Sequence, residues 1–237
     1  FEDATELLNA QRAAAWGEVA RRLAHEIKNP LTPIQLSAER IRNKYLSTLD
    51  PEQRETLDRS TRTIVQQVEA MKTMVNAFSE YARPAPLQRA STDLNQLIND
   101  TVELFRSGPN SIKLQIEPDT HLGHIQIDPN SFSQVLNNLV INAQDALAGR
   151  EGTAVIRTNQ DSKTGGVTVT VQDNGPGFDP HSIDRIFEPY VSSKEKGTGL
   201  GLAICRRIIE EHGGTIRASN PQQGGAAVII SLPLRRY

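Results

Sequence analysis

The sequence predicts an α+β chain in which an antiparallel helical hairpin is followed by an α/β sandwich. Two observations carry this. Over residues 5–82 the apolar residues recur at helical spacing, and beyond the proline-rich stretch RPAP (83–86) short alternating segments appear among further helices. A long helical pair, a break and a mixed sheet with helices on one face is the arrangement that fits both.

In the first helix Val19, Leu23, Ile27, Ile34, Ala38, Ile41 and Tyr45 cluster within roughly a third of the helix circumference. In the second, Leu57, Thr61, Ile64, Val68, Met71, Val75 and Phe78 alternate steps of four and three, a coiled-coil seam. Between them, in LSTLDPEQ, Asp50 can cap, Pro51 suits the first turn and Gln53 stands at the capping-box position. At about 1.5 Å per residue the first helix is roughly 60 Å long. Two such helices cannot bury their own stripes well, so a homodimer forming a four-helix bundle is expected. RPAP ends the second helix and reads as a hinge.

Beyond it, Asp93 can cap a helix over 93–105. The segments SIKLQIE and GHIQI read as strands, and a helix is expected from about Ser131 to Ala148. TAVIRTN, VTVTVQ, GTIRAS and AAVIIS read as further strands, mostly not joined as hairpins.

Composition narrows the function. The chain has 237 residues, 26 Lys plus Arg against 28 Asp plus Glu, and a formal net charge of -2, which gives no footprint for nucleic acid or an anionic membrane surface. A single cysteine, Cys205, excludes an internal disulfide and suits a reducing compartment. No apolar run approaches the length of a membrane span. The chain opens on Phe1 rather than Met, so it is read as a piece of a longer protein, and any membrane anchor would lie outside it.

Four stretches carry candidate chemistry. In AHEIKNPLTPI, His25 falls almost opposite the apolar stripe, with Asn29 about 40° and Glu26 about 100° around the wheel. An isolated surface histidine is usually bland. Here, though, a neighbouring carboxylate can take the Nδ1 proton and leave Nε2 as a nucleophile, while Pro30 and Pro33 can bend the helix beside it. In NNLVINAQDA, Asn138, Asn142 and Asp145 share a flank distinct from the apolar face, and an amide oxygen is a hard ligand suited to Mg²⁺ held also by phosphates. A solvated helix face is the competing reading.

DNGPGF follows a strand yet leads into no second alternating segment, so it is not a simple hairpin. Asp173 there can accept from an amino group while Gly175 and Gly177 let the backbone pass close to a flat ring. In GTGLGLAI, Gly197, Gly199 and Gly201 precede a helix whose start can hold phosphates. Neither a P-loop nor a Rossmann fingerprint is present.

Taken together, the sequence resembles the two-component sensor histidine kinases. AHEIKNPLTPI is similar to their H box, NNLVINAQDA to the N box, DNGPGF to G1, IFEPYVSSK to the F box and GTGLGLAI to G2, all in the family's order. Within the family, the segment AWGEVARRLAHEIKNPLTPIQLSAERIRNKY is most like the NtrY-like nitrogen-regulation kinases. The resemblance implies a Bergerat-type ATP-binding domain. It divides the chain into a linker helix (1–15), a dimerisation and histidine phosphotransfer domain (16–84), a hinge (85–91) and a catalytic ATP-binding domain (92–237).

By the same resemblance His25 is the phosphorylated residue, Glu26 the acid that orients it, and Asn29 the residue that positions water for dephosphorylating a partner. Asn142 holds Mg²⁺, with Asn138 as a second candidate, and Asp145 lies beside them. Asp173 binds adenine, with Gly175 and Gly177 shaping the pocket. Residues 178–196 form a lid containing Phe187, with Lys194 and Lys196 as alternative phosphate contacts. Gly197, Thr198, Gly199, Leu200 and Gly201 cradle the phosphates. ATP and Mg²⁺ are the implied cofactors, and a response-regulator receiver domain, NtrX-like, is the implied partner. No nucleic acid and no direct membrane contact are expected. The fragment is placed in the cytoplasm and the full-length protein in a bacterial inner membrane. The rivals are a Bergerat-type ATPase of the chaperone or topoisomerase kind, which gives no reason for His-Glu-x-x-Asn on a preceding hairpin, and a nucleotide-binding scaffold without phosphotransfer, against which the intact site counts.

Overall fold

The computed structural model describes the backbone of residues 2–82, 86–106, 112–160, 165–192 and 197–233, with side chains omitted for 2–16, 80 and 81. The chain divides at Ala85/Pro86 into two compact units. Arg83–Ala85, the core of the expected hinge, lie outside the described residues.

The first unit is a hairpin of α1 (Glu2–Tyr45) and α2 (Pro51–Ala82). Helix α1 runs unbroken through Pro30 and Pro33. The turn is closed as its chemistry suggests: Asp50 Oδ1 accepts from the backbone N–H groups of Glu52 (3.1 Å) and Gln53 (3.0 Å). Arg42 Nε meets Asp58 Oδ1 at 2.7 Å, and Arg62 joins the same carboxylate at 2.9 Å. Hydrogen bonding to Arg42 holds the Asp58 carboxyl below the usual carboxylate range. Farther along, Lys72 Nζ donates to Gln35 Oε1, and Gln35 Nε2 donates to Glu39.

The line that α1 buries differs from the one its large residues mark. Ala20, Ala24, Leu31 and Ala38 are buried, together with Thr61 and Val68 of α2. Val19, Leu23, Ile27, Ile34, Ile41 and Tyr45 remain 43–47% exposed. Small residues let the two backbones approach, and the bulky stripe, roughly 50° around the helix, is left over. No described helix is long and apolar enough to cross a membrane.

The second unit is a sandwich. Its five-stranded sheet has the order β2-β4-β5-β7-β6, with β2 (Lys113–Glu117), β4 (Thr153–Gln160), β5 (Val167–Asp173), β6 (Thr215–Ser219) and β7 (Ala227–Leu232). Strands β2 and β4 are parallel, and the remaining neighbours are antiparallel. A separate pair joins β1 (Ala90–Thr92) to β3 (Ile125–Ile127). Two consecutive pairs, β4–β5 and β6–β7, are therefore adjacent antiparallel strands, more hairpin-like than the sequence suggested. Their connections, NPQQGG above all, carry the turn residues that explain it.

Three helices cover the sheet: α3 (Leu94–Glu103), α4 (Pro129–Ala146) and α5 (Gly201–Glu211). The core joins Leu94, Ile98 and Val102, Phe132, Leu136, Leu139 and Val140, and Ile208 and Ile209 to Ala154, Ile156, Val169 and Ile230. Asp93 caps α3 by accepting from Gln96 N–H at 3.0 Å. Helix α4 starts two residues before the expected Ser131, because Asp128 and Pro129 form an N-cap and first turn.

Asp128 is a junction. Its Oδ1 caps α4 through Asn130 and Ser131, and its Oδ2 accepts from Gln88 N–H at 2.8 Å. Burial alone pushes its carboxyl up, but the N–H groups of Gln88, Ser131 and Asn130 prevail and hold it below the usual range. Its own N–H donates to Nε2 of buried His212 at 3.0 Å, while His212 Nδ1 lies 2.7 Å from the Ile208 carbonyl. That geometry fixes the Nδ1–H tautomer. Truncation His212→Ala leaves the Asp128 N–H without a partner and opens a cavity. It is expected to cost about 2–4 kcal/mol in urea denaturation.

Candidate functional site

The site of the second unit is arranged along α4. Its apolar residues Phe132, Val135, Leu136, Leu139, Val140 and Ala143 face the core. Asn138 and Asn142 are half-buried on another flank, with Asp145 exposed one turn beyond Asn142. Asn138 Nδ2 donates to the carbonyl of Gly201 at 3.4 Å, which ties α4 to the first residue of α5. Eight residues on, Ala146 lies beside Gly175: a Cβ on that glycine would sit 3.5 Å from the Ala146 side chain. So α4 reaches from the start of α5 at Asn138 to the DNGPGF loop at Ala146, about 12 Å at helical rise, with Asn142 midway.

Asp173, 9% exposed, ends β5. Its Oδ1 accepts from Gly175 N–H at 2.8 Å and Ala226 N–H at 3.3 Å. Among the described residues Oδ2 takes no bond, which leaves an acceptor for an amino group. A Cβ on Gly175 would meet Asp173 Oδ1 at 2.8 Å, so a larger residue there would displace this carboxylate.

Gly199, Leu200 and Gly201 lead into α5. Leu200 is its N-cap residue and supplies no side-chain cap, and a helix start of this kind can meet an anion with its backbone N–H groups. Gly199 has φ +66°, and its carbonyl accepts from Tyr190 N–H at 3.0 Å. Tyr190 itself has φ +66°. A Cβ on Gly199 would lie 2.6 Å from the Tyr190 carbonyl carbon and 2.9 Å from Val191 N. The methyl of Gly199→Ala collides with backbone, and the positive φ adds about 1–2 kcal/mol. This variant is expected to keep its far-ultraviolet circular dichroism and lose most nucleotide affinity, as measured by titration with Mg-ADP.

Not every expected residue joins this arrangement. Gly197 is exposed and Thr198 half-buried just ahead of Gly199. Lys194 and Lys196 lie outside the described residues. Phe187, after a single 3-10 turn at Ile183–Arg185, is nearly buried. Cys205 is buried beneath Asn138, and burial pushes its thiol up to about 12, so it stays protonated. In α1, His25, Glu26 and Asn29 are exposed, with Ala24 buried beside them. Glu26 Oε1 accepts from Arg22 Nε at 3.1 Å, one turn back. Adjacent helical residues do not face one another, so Glu26 must leave Arg22 and change rotamer to reach His25.

Sequence reasoning missed Asn220 and Gly225, in the β6–β7 connection behind DNGPGF. The paired glycines of NPQQGG were a signal that the turn is tight, though not of what it touches.

Two family models match, the His Kinase A (phospho-acceptor) domain over residues 15–87 and the histidine kinase-, DNA gyrase B- and HSP90-like ATPase over 127–236. A solved histidine kinase, ThkA, in complex with the response regulator TrrA, is similar with TM-score 0.69 and 32% identity, covering 99% of this chain and 67% of that one. The chain belongs to the sensor histidine kinases. Full-length ShkA with AMPPNP is similar at TM-score 0.72 and 26% identity, over 92% of this chain and 46% of that one. The nitrogen regulation protein NtrY of Azorhizobium caulinodans is 42% identical over 97% of this chain, which spans 30% of NtrY's length.

Proposed function

We propose that this histidine kinase chain binds Mg-ATP along α4, phosphorylates His25 and passes the phosphoryl group to an aspartate of a response regulator. The observation that carries the reading is the placement along one helix: an adenine acceptor at Asp173 near Ala146, the start of α5 beside Asn138, and Asn142 between. The nucleotide's two ends and its metal find suitable chemistry in that order. AMPPNP on ShkA and the regulator TrrA on ThkA support the same assignment.

Among the described residues no cluster of three His, Cys, Asp or Glu could hold a metal. Mg²⁺ here would rely on amide oxygens of Asn142, and of Asn138 as a second, together with phosphate oxygens, which suits its preference for hard ligands and retained water. It would neutralise charge developing on the phosphates. The protein's part is positioning. Asp173 orients the base, and the N–H groups at the start of α5 hold the phosphates. The Nε2 lone pair of His25 attacks the γ-phosphorus. The bond to the β,γ-bridging oxygen breaks, ADP leaves with the electron pair, and the Nδ1 proton passes to Glu26 or water. Asn29, four residues on, would position water against a regulator's aspartyl phosphate.

The half-exposed stripe Val19, Leu23, Ile27, Ile34, Ile41 and Tyr45 supports a homodimer in which a second copy covers it. An NtrX-like regulator and anchoring of the full-length protein in a membrane rest on the likeness to NtrY. The test follows label from the γ-phosphate of Mg-ATP to the chain and then to a purified receiver domain. Label that reaches neither would sink the proposal.

A further inference from the structure

Beyond the residues that meet nucleotide, we propose that Asn220 is a positioning residue for it, acting through the backbone of the DNGPGF loop. The inference rests on the nucleotide-binding reading above and deepens it.

Asn220 stands just after β6, exposed. Its Oδ1 accepts from Phe178 N–H at 2.8 Å, and its Nδ2 donates to the Phe178 carbonyl at 2.8 Å. The side-chain amide thus pairs with both polar groups of one residue, as a neighbouring strand would. Phe178 is where the loop carrying Asp173, Gly175 and Gly177 ends and the chain departs toward Tyr190 and Gly199. A clamp at that residue sets the direction in which the loop leaves the pocket.

The same connection backs the rest of the loop. Gly177 has φ +83°, and a Cβ on it would meet Asn220 Oδ1 and the Gly225 carbonyl, each at 3.0 Å. This glycine is therefore demanded by the β6–β7 connection behind it, whatever lies in front. Ala226 N–H reaches Asp173 Oδ1, and Asp173 N–H donates to the Ala226 carbonyl at 2.9 Å. The adenine acceptor, the glycine and the exit residue all lean on residues 220–226. Asn220 is the member of that set whose contacts are made by a side chain alone, so it can be altered without touching the backbone path.

An exposed asparagine with two good bonds to a loop's backbone has a bland explanation, that it merely stabilises the turn. The two explanations part in their readouts. If Asn220 positions the loop, Asn220→Ala weakens Mg-ADP binding to the full chain about tenfold, the equivalent of one or two lost hydrogen bonds. KM for ATP in self-labelling rises alike, while the maximal rate at saturating nucleotide stays native, since a bound nucleotide restores the loop. Asn220→Asp keeps the acceptor for Phe178 N–H but turns a second oxygen toward the Phe178 carbonyl. It should bind no better than the alanine variant.

Equal Mg-ADP affinity for native and Asn220→Ala chains would overturn the proposal while leaving the nucleotide site intact. So would a lowered melting temperature with unchanged affinity. A native chain that binds no Mg-ADP would remove both the proposal and the functional reading on which it rests.

Discussion

Incubated with Mg-ATP labelled at the γ-phosphate, the native chain is expected to acquire acid-labile, base-stable label, and the His25→Gln variant none. The expected loss is complete because the other exposed imidazoles, His121, His124 and His181, lack the His-Glu-x-x-Asn setting that His25 has on α1. Cys205 is buried and protonated, and His212 spends both ring nitrogens inside the core. Glutamine keeps the polarity and approximate length of the side chain at an exposed helical position, so stability should change by less than about 0.5 kcal/mol. Mg-ADP affinity should be native, since the binding residues sit on the other unit. Label on the variant would mean that another residue is the acceptor. Absence of label from both, with nucleotide bound, would favour a scaffold or a chain biased toward dephosphorylating its regulator.

The second large effect is expected at Gly225, where a Cβ would lie 1.9 Å from the carbonyl oxygen of Asp173, 2.8 Å from its carbonyl carbon and 3.1 Å from Asn174 Cα. Nothing there is the end of a flexible side chain. The two segments are fastened by the β5–β7 ladder, which runs to Gln172 opposite Ala227, and by the pair between Asp173 and Ala226 just beyond it. To admit a methyl group, that last pair must open and Asp173 must move. Gly225→Ala should therefore cost about 3 kcal/mol or more. It should also abolish measurable Mg-ADP binding, read by urea denaturation and titration of the same sample. A native midpoint with native affinity would show that the turn shifts freely and that Asp173 is not held from behind.

What was legible in the sequence was whatever is local. The helix starts at Asp50 and Asp93 are written in their caps, and the boxes around His25, Asn142, Asp173 and Gly201 in short strings. The start at Asp128-Pro129 is written equally plainly, as an N-cap followed by a first-turn proline, two residues ahead of the expected Ser131. Periodicity located the face of α1 but could not choose between two neighbouring lines. The bulky residues outweighed the alanines that lie against α2, because a pattern of hydrophobicity does not say which partner a face meets. The role of Gly225 could not be read at all. It contacts a residue about fifty positions earlier, and only because β7 lies beside β5 in the sheet. Glycine at 175 and 177 reads as letting the backbone pass close to a flat ring. The protein groups behind them, the carboxylate of Asp173 and the connection holding Asn220, are set by rotamers or distant in sequence and are not legible. The pairing of Glu26 with Arg22 likewise depends on rotamers, which no spacing rule fixes.

The open sheet has a consequence for how copies of this chain can meet. Its outer strands, β2 and β6, are five residues each and among the described residues pair on one side only. An unsatisfied ribbon of N–H and C=O groups is a template for polymerisation. Here Lys113 and Glu117 stand exposed at the two ends of one margin, Glu117 held by Arg157, and Arg217 stands exposed in the middle of the other. A second molecule attempting to extend the sheet would have to strip water from those charges along a strand too short to repay the loss. Extension of the sheet by a second copy is therefore disfavoured at both margins, which leaves the isoleucine-rich side of the helices as the face on which the proposed dimer would close and stop.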